Sequence, residues 1–186
     1  LTGERTALNL MQRASGIATA TAKAVKAVAG TKAHIADTRK TMPGLRLLDK
    51  YAVRVGGGVN HRFNLSDGVL IKDNHIAAAG SIKNAVEAAR RHCPHTLKIE
   101  VEVENFVQLY EALEAKADII MLDNMSNEDM AKAVQIIGGR AIVEASGNMG
   151  EKDLSEVAKT GVDLISIGSL THSVKTLDIS LKFIII

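Results

Sequence analysis

The sequence predicts an α/β fold, namely an incomplete or reduced parallel (β/α) barrel with about six to seven strands, preceded by a helical segment. In the second half of the chain, apolar runs alternate with amphipathic segments, and the runs recur every ~20 residues, as in a repeated βα unit. The chain has 186 residues, whereas a complete (β/α)₈ barrel usually needs about 250. An open doubly wound sheet is the alternative architecture.

The first half of the chain begins with a long alanine-rich helical region over residues 3–29, whose small side chains suit close helix packing. Strands are predicted at residues 32–38 and 68–74, and a possible seventh strand at residues 51–57. A helix is predicted over residues 81–92, where Ser81 is the expected N-cap and the terminal cations suit the negative helix end.

The second half supplies four strands and three helices. The strands are predicted at residues 97–103, 118–124, 140–147 and 162–168, and the helices at residues 105–117, 126–137 and 151–161. Asn105 begins the first of these helices, Ser126 is the N-cap of the second, and Gly161 closes the third. All of these elements are predicted to form one domain, residues 1–186, in which the leading helical region covers about residues 1–30.

The composition argues against several classes of function. A net charge of +2, 3% aromatic residues and no tryptophan speak against a nucleic-acid surface. No apolar run approaches the ~20 residues that span a membrane. Cys93 is the single cysteine, so an internal disulfide and a thiolate metal cluster are excluded, and a reducing cytoplasm is the expected location.

Unusual polar and small residues follow six predicted strands in succession. Each one alone is an ordinary turn or surface residue, but together they mark the carboxyl ends of the strands, where α/β barrels build their active sites. The loops after the last two strands have small residues whose backbone N–H groups can cradle phosphate. The residues are Arg39 and Lys40, Lys72, Glu102, Asp123, Ser146 and Gly147, and Gly168 with Ser169.

The third strand carries alternating glutamates in the stretch "IEVEVE", residues 99–104. Barrel strands alternate between the interior and the helix layer, so the apolar residues meet the helices and Glu100, Glu102 and Glu104 point inward. The same alternation turns Lys72 inward. Buried carboxylates are costly unless they are paired or bind metal, so a polyanionic ligand with a divalent cation is expected here.

Six motifs in this order and spacing resemble the quinolinate phosphoribosyltransferase family, the carboxylating nicotinate-nucleotide pyrophosphorylases of NAD biosynthesis. They are "DTRKTMPGLR" (37–46), "GGGVNHRFNLSDGVLIKDNH" (56–75), "EVEVEN" (100–105), "DIIMLDN" (118–124), "EASGN" (144–148) and "GVDLISIGSLTHS" (161–173). The resemblance implies a pentosyltransferase that converts quinolinate and phosphoribosyl pyrophosphate to nicotinate mononucleotide, pyrophosphate and carbon dioxide, with Mg²⁺ required. It also implies a homodimer or higher homo-oligomer, and a family N-terminal sandwich domain that is expected to be absent from residues 1–186.

The resemblance assigns roles to individual residues. Quinolinate is expected to bind Arg39, His61, Arg62 and Lys72, together with Arg5 from the other subunit. Lys72, Glu102 and Asp123 are the expected catalytic residues, and Mg²⁺ is expected near Glu102 and Asp123 without a certain ligand. Phosphoribosyl pyrophosphate is expected to bind Lys40, Glu102, Asp123, Ser146, Gly147, Gly168 and His172.

Two other functions remain open from the sequence. One is an aldolase-type barrel that uses Lys72 as a Schiff-base amine, which would need a nearby base. The other is a non-catalytic relative from a branch of the same fold associated with molybdenum transport. The motifs "LIKDNH" and "EVEVEN" favour the quinolinate branch.

Overall fold

The computed structural model describes residues 2–182 and 184, and a six-stranded parallel sheet forms its centre. The strands are β1 (His34–Ala36), β2 (Val69–Ile71), β3 (Ile99–Val103), β4 (Ile119–Asp123), β5 (Ile142–Ser146) and β6 (Leu164–Ser166). The helices are α1 (Glu4–Ala27), α2 (Arg46–Val55), α3 (Asp73–Ala79), α4 (Ile82–His92), α5 (Phe106–Glu114), α6 (Asn127–Ile137), α7 (Leu154–Lys159) and α8 (Ser169–His172), with a 3₁₀ turn at Met149–Glu151.

The sheet has the strand order β1-β6-β5-β4-β3-β2, and each neighbouring pair is parallel. Within the described residues no ladder joins β1 to β2, so the barrel is open between its first and second strands. Val59 partly fills this gap through an isolated parallel bridge to Ala36. The expected incomplete barrel of six strands after a leading helix is therefore confirmed.

The possible seventh strand at residues 51–57 was a wrong prediction, because most of it lies in helix α2. Its buried residues are Asp49, Lys50, Ala52 and Val53, a three-to-four-residue recurrence that places one helical face against the protein. The local run of valines favours a strand, but burial of that face outweighs the weak strand preference of a short segment. The three glycines at 56–58 follow the helix.

Three predicted helix starts agree with the structure, whereas the helix predicted from residue 151 begins at Leu154, after a 3₁₀ turn at Met149–Glu151. The side chains of Ser81, Asn105 and Ser126 each accept a hydrogen bond from the backbone N–H group three residues on. Such caps satisfy N–H groups that have no partner within the helix. Asn105 and Ser126 lie where the chain turns from the carboxyl end of a strand into the following helix, whereas Ser81 separates α3 from α4.

The main core lies between the sheet and its outer helices. Ile120 of β4, Leu109 of α5 and Met130 of α6 are fully buried there. Burial of each such side chain contributes about 1.5–3 kcal/mol to folding. This layer fixes the outward face of each strand, so the opposite face must carry the interior side chains. Within the described residues, no helix combines the length and the apolar character needed to cross a bilayer.

Candidate functional site

A cavity of about 780 Å³ opens at the carboxyl ends of the strands. Eleven of the twelve residues expected to form the site line it, although they come from segments spread over more than 130 positions of the sequence. The remaining residue, Arg5, is exposed on α1 and is not among the lining residues. The eleven are Arg39, Lys40, His61, Arg62, Lys72, Glu102, Asp123, Ser146, Gly147, Gly168 and His172.

An ion pair crosses the mouth of the cavity from β2 to β3. Lys72 follows β2 directly, and its Nζ donates a hydrogen bond to Oε2 of Glu102. The Glu102 side chain is 13% exposed, whereas the Lys72 side chain is 44% exposed. The inward direction expected for both residues is thus observed. Glu104, which was expected to point inward too, is exposed beyond the end of β3, because the strand has already ended there.

Hydrogen bonds from helices α8 and α1 hold the loop that carries Arg39 and Lys40. The hydroxyl group of Thr171 in α8 donates a hydrogen bond to the carbonyl of Lys40, with an oxygen–oxygen distance of 2.8 Å. Arg13 of α1 donates to the carbonyl of Thr171 and binds both carboxylate oxygens of Asp49, each at 2.8 Å. Two-point pairs of this kind are rigid, so the cations after β1 are held at the rim.

A buried ionic network shapes the loop before β2. Asp37 and Lys50 form a buried ion pair, and Asn60 donates to the second carboxylate oxygen of Asp37. The backbone N–H of His61 donates to Asp37 over 3.0 Å, and Lys50 Nζ donates to the carbonyl of His61 over 3.0 Å. These charged groups hold each other in place, so the network fixes the backbone at His61. It thereby sets the direction in which the side chains of His61 and Arg62 point.

Below the rim, His61 reaches two glutamates in the barrel interior. Its Nε2 lies 2.9 Å from Oε2 of Glu100 and 3.7 Å from Oε1 of Glu144. The hydroxyl of Ser166 donates to Glu144. Burial raises the pKa of the Glu144 carboxyl to about 7, and the negative charge of Glu100 adds to the rise. Sequence reasoning missed Glu144, although a charge within the apolar run "AIVEA" was a visible signal.

The cations of the site affect one another. Burial lowers the pKa of Arg62, and the nearby positive charge of Arg39 lowers it further. Nη1 of Arg62 also donates to the carbonyl of Gly68 over 3.0 Å. Two guanidinium groups that repel each other across a cavity are stabilised by an anion between them, and a carboxylate matches their planar donors.

The loops after β4, β5 and β6 come close together at the other side of the cavity. Gly147 has φ of +89°, and a Cβ atom there would lie 2.3 Å from Oδ1 of Asn124. A Cβ atom on Gly150 would lie 2.3 Å from Oγ of Ser169. Gly147 requires glycine, because its φ is positive and the backbone nitrogen of Asn124 would also lie 2.6 Å from the Cβ. The loop thus leaves backbone exposed at the cavity in the manner of phosphate-binding loops.

Glu102 and Asp123 offer the oxygen donors that Mg²⁺ prefers. Glu102 pairs in register with Met121, two residues before Asp123, so both carboxylates lie on adjacent strands at the cavity. Oδ2 of Asp123 accepts from Asn124, and its Oδ1 has no hydrogen-bond partner in the described part of the chain. Glu102 and Asp123 are therefore the carboxylates of this cavity edge that could hold a divalent cation.

Comparisons with known proteins agree with the sequence motifs. The profile of the quinolinate phosphoribosyl transferase C-terminal domain matches residues 17–182. The nicotinate-nucleotide pyrophosphorylase (carboxylating) of Mycobacterium leprae is 52% identical over 184 residues, which are 97% of this chain and 64% of that protein. The human protein of the same name is 44% identical over 187 residues, which are 98% of this chain and 63% of that protein.

The fold agrees as well. The crystal structure of NadC from Streptococcus pyogenes superposes with a TM-score of 0.92 at 52% identity, covering 98% of this chain and 64% of that one. The chain therefore spans less than two thirds of the length of these relatives.

Proposed function

Because the chain belongs to the quinolinate phosphoribosyltransferase family, we propose that it forms the catalytic part of a carboxylating nicotinate-nucleotide pyrophosphorylase. This pentosyltransferase would join quinolinate to phosphoribosyl pyrophosphate and release pyrophosphate and carbon dioxide. The observation that carries the proposal is the arrangement of four cations, Arg39, His61, Arg62 and Lys72, around one cavity that also contains Glu102 and Asp123. A molecule with two adjacent carboxylates and a second, phosphate-rich substrate suit that combination.

The cationic side of the cavity is proposed to bind quinolinate. Arg39 and Arg62 offer planar donors to its two carboxylates, and their mutual repulsion is relieved when an anion lies between them. Lys72 would add an ammonium group, which must leave its ion pair with Glu102 to reach the substrate. His61 contributes a ring donor that is fixed in place from below by Glu100.

The opposite side is proposed to bind phosphoribosyl pyrophosphate. Lys40 is held at the rim by Thr171 and offers a charge to the pyrophosphate. Gly147 and Gly168 leave space for the backbone to approach the 5′-phosphate. Glu102 and Asp123 would contact the ribose hydroxyls and Mg²⁺. When it is bound, Mg²⁺ neutralises charge on the departing pyrophosphate.

The reaction needs no nucleophile from the protein. The ring nitrogen of quinolinate bonds to ribose C1 as the bond from C1 to the pyrophosphate oxygen breaks, and fixed carboxylates stabilise the positive charge on the sugar. The ring nitrogen then carries a positive charge. The bond to the 2-carboxylate breaks with its electron pair left on ring carbon 2, carbon dioxide departs, and that carbon takes a proton from water.

We propose a homodimer or higher homo-oligomer as the working form, in the cytoplasm. Leu47, Tyr51 and Val55 of α2 are 76%, 65% and 61% exposed and recur every four residues along one face, which supports an apolar contact with another surface. Arg5 is proposed to complete the quinolinate site of the partner subunit. The relatives extend beyond the region that matches this chain. An additional N-terminal domain is proposed to cover the cavity.

The aldolase-type alternative is disfavoured by the position of Lys72. A Schiff-base lysine is activated by an apolar pocket or by another cation, whereas Lys72 is paired with Glu102 at a half-exposed rim. The direct experiment incubates the protein with quinolinate and phosphoribosyl pyrophosphate, with and without Mg²⁺, and measures nicotinate mononucleotide and carbon dioxide. Nicotinate in place of quinolinate is the control. Failure to bind either substrate, or borohydride trapping of a keto substrate on Lys72, would refute the proposal.

A further inference from the structure

The ring of His61 is supported by two glutamates that face the barrel interior. Glu100 of β3 and Glu144 of β5 have side chains that are 5% and 1% exposed. Nε2 of His61 hydrogen-bonds to Oε2 of Glu100 over 2.9 Å, and Oε1 of Glu144 lies 3.7 Å from the same nitrogen. Ser166 of β6 holds Glu144 in turn. The ring therefore lies against two buried carboxyl groups, one from β3 and one from β5.

The backbone of His61 is held from the opposite direction. Its N–H donates to Asp37 and its carbonyl accepts from Lys50, each over 3.0 Å. Both partners are buried and joined to each other. With its backbone and its Nε2 both fixed, the ring has little freedom to turn away from Glu100 when a ligand enters or leaves the cavity.

This geometry leaves one ring nitrogen for a ligand. Nδ1 of His61 has no hydrogen-bond partner within residues 2–182, and the residue lines the large cavity. A neutral imidazole carries one proton, so with Nε2–H directed at Glu100 its Nδ1 would present a lone pair. A lone pair repels a carboxylate, whereas the imidazolium donates from both nitrogens.

On the basis of the function proposed above, we infer that Glu100 and Glu144 are positioning residues that keep His61 as a double-donor imidazolium. In this way they would select a substrate with a second, adjacent carboxylate. Neither glutamate needs to touch the substrate. The charge of Glu100, in a barrel interior of low polarity, acts on His61 much more strongly than it would in water, and Glu144 adds its own charge as it ionises around its pKa of about 7. A substrate with a single carboxylate gains less from this extra donor.

The balance of charges around the ring supports this inference. Burial by itself would lower the pKa of His61, but the hydrogen bond to Glu100 and the charges of Glu144 and Glu100 outweigh burial, so the pKa is raised. Lys50 of α2 opposes them with its positive charge. Oε1 of Glu100 and Oε2 of Glu144 are buried and have no hydrogen-bond partner in the described residues. No donor among those residues therefore weakens the attraction of these two carboxyl groups for the His61 ring.

The first test needs no substrate. Nitrogen NMR of ¹⁵N-histidine-labelled protein follows the protonation of His61 against pH. The variant Glu100→Gln keeps an acceptor oxygen but removes the charge, and it should lower the midpoint of the His61 titration by about one pH unit or more. Glu104→Gln is the matched control, because Glu104 is exposed at the end of the same strand, and it should leave the midpoint unchanged. An unchanged midpoint in folded Glu100→Gln would overturn the inference.

A second variant guards against a folding defect. Glu144→Gln removes the carboxyl group that lies farther from the ring and is only partly ionised near its pKa of about 7, so it should lower the His61 midpoint by a smaller amount than Glu100→Gln. Circular dichroism verifies the fold of each variant. If both variants fold and neither moves the midpoint, the glutamates do not control the charge of His61.

The second test measures ligand selection by calorimetry. Quinolinate affinity should fall at least about tenfold in Glu100→Gln, whereas nicotinate affinity should hardly change. An equal loss for both ligands would mean that the glutamates only maintain the structure. If the unaltered protein binds no quinolinate, the proposed function fails, while the NMR result still decides the state of His61.

A bound metal ion is the competing use of this cluster, because ligand atoms of His61, Glu100 and Glu144 all lie within 4.8 Å of one another. Elemental analysis and a Zn²⁺ titration separate the two uses. We expect no stoichiometric metal, and an unchanged His61 titration after treatment with a chelator. One equivalent of metal that is lost in Glu144→Gln would overturn the imidazolium assignment.

Discussion

Lys72 and Glu102 join the ends of two adjacent strands through a hydrogen bond from Nζ to Oε2 across the mouth of the cavity. In the proposed function these residues bind different ligands, since Lys72 binds quinolinate and Glu102 faces the ribose and Mg²⁺. Quinolinate must therefore compete with Glu102 for the ammonium group of Lys72. The ligands of Glu102 must likewise compete with Lys72 for its carboxylate. The ion pair links the two halves of the site before either ligand arrives.

The first prediction concerns Glu102→Gln and Asp123→Asn. Both variants should lose at least about tenfold in Mg²⁺-dependent affinity for phosphoribosyl pyrophosphate, since each removes one charged oxygen ligand. Quinolinate affinity should be retained, and in Glu102→Gln it should not weaken because Lys72 is released. Calorimetry with each ligand, with and without Mg²⁺, measures both effects. Selective loss of quinolinate binding would contradict this division of roles.

The second prediction concerns Arg39→Ala. Quinolinate affinity should fall by about tenfold to a hundredfold, because a charge-assisted hydrogen-bonded pair is removed. The melting temperature should stay within about 2 °C of that of the unaltered protein, because Arg39 is exposed at the rim. Arg54→Ala, which removes an exposed arginine from α2, is the control. Undiminished quinolinate affinity in Arg39→Ala would show that this residue is not a ligand.

The third prediction compares two glycines with positive φ. Gly147→Ala should weaken binding of phosphoribosyl pyrophosphate at least about tenfold, because its Cβ would displace Asn124 at the cavity. Gly139→Ala carries similar backbone strain of about 1–2 kcal/mol, at φ of +77° and with no atom within 4 Å of the new Cβ. It should reduce stability without changing affinity. Equal affinities in the two variants would remove Gly147 from the proposed phosphate site.

The fourth prediction concerns stability against pH. The pKa of Glu144 is about 7 in the folded protein, compared with 4.5 for a free side chain, and the pKa of His61 is raised as well. Between these values the folded protein holds a proton that the unfolded chain has released. The free energy of unfolding should therefore fall as pH rises from about 4.5 to above 7, by on the order of 3 kcal/mol for Glu144.

Urea unfolding at a series of pH values measures this dependence. Glu144→Gln should flatten the decline, because its amide does not titrate, whereas the exposed Glu114→Gln should follow the unaltered protein. A decline of the same size in Glu144→Gln would place the responsible group elsewhere.

The fifth prediction tests whether Arg5 acts across a subunit interface. Arg5→Ala and Arg39→Ala are each expected to lose quinolinate binding. A mixed dimer of the two variants should regain one intact site, because one subunit keeps Arg39 and its partner supplies Arg5. Binding stoichiometry after subunit exchange measures this recovery, which should approach one site per mixed dimer, or one site per two dimers of the whole population when exchange is random. No recovery despite verified exchange would place Arg5 in the site of its own subunit, or outside it.

The sequence by itself was enough to determine the repeated strand–helix order and the polar residues at the strand ends. Both are local properties: the apolar runs and caps such as Ser126 act over a few residues. In a parallel sheet the carboxyl ends of all strands meet at one edge. The predicted strands therefore place Arg39 and Gly168 together, and both line the same cavity in the structure.

Only the tertiary structure decided the features that depend on contacts between distant segments. The helical state of residues 51–55 follows from burial of one face of α2, which overrides a weak local preference. The contact of His61 with Glu100 and Glu144 joins residues that lie far apart in the sequence. Their charges and pKa values follow from distance and burial. The residues next to a charged group in the sequence do not determine its burial or its distance from other charges. Both arise when the sheet curves and encloses its interior.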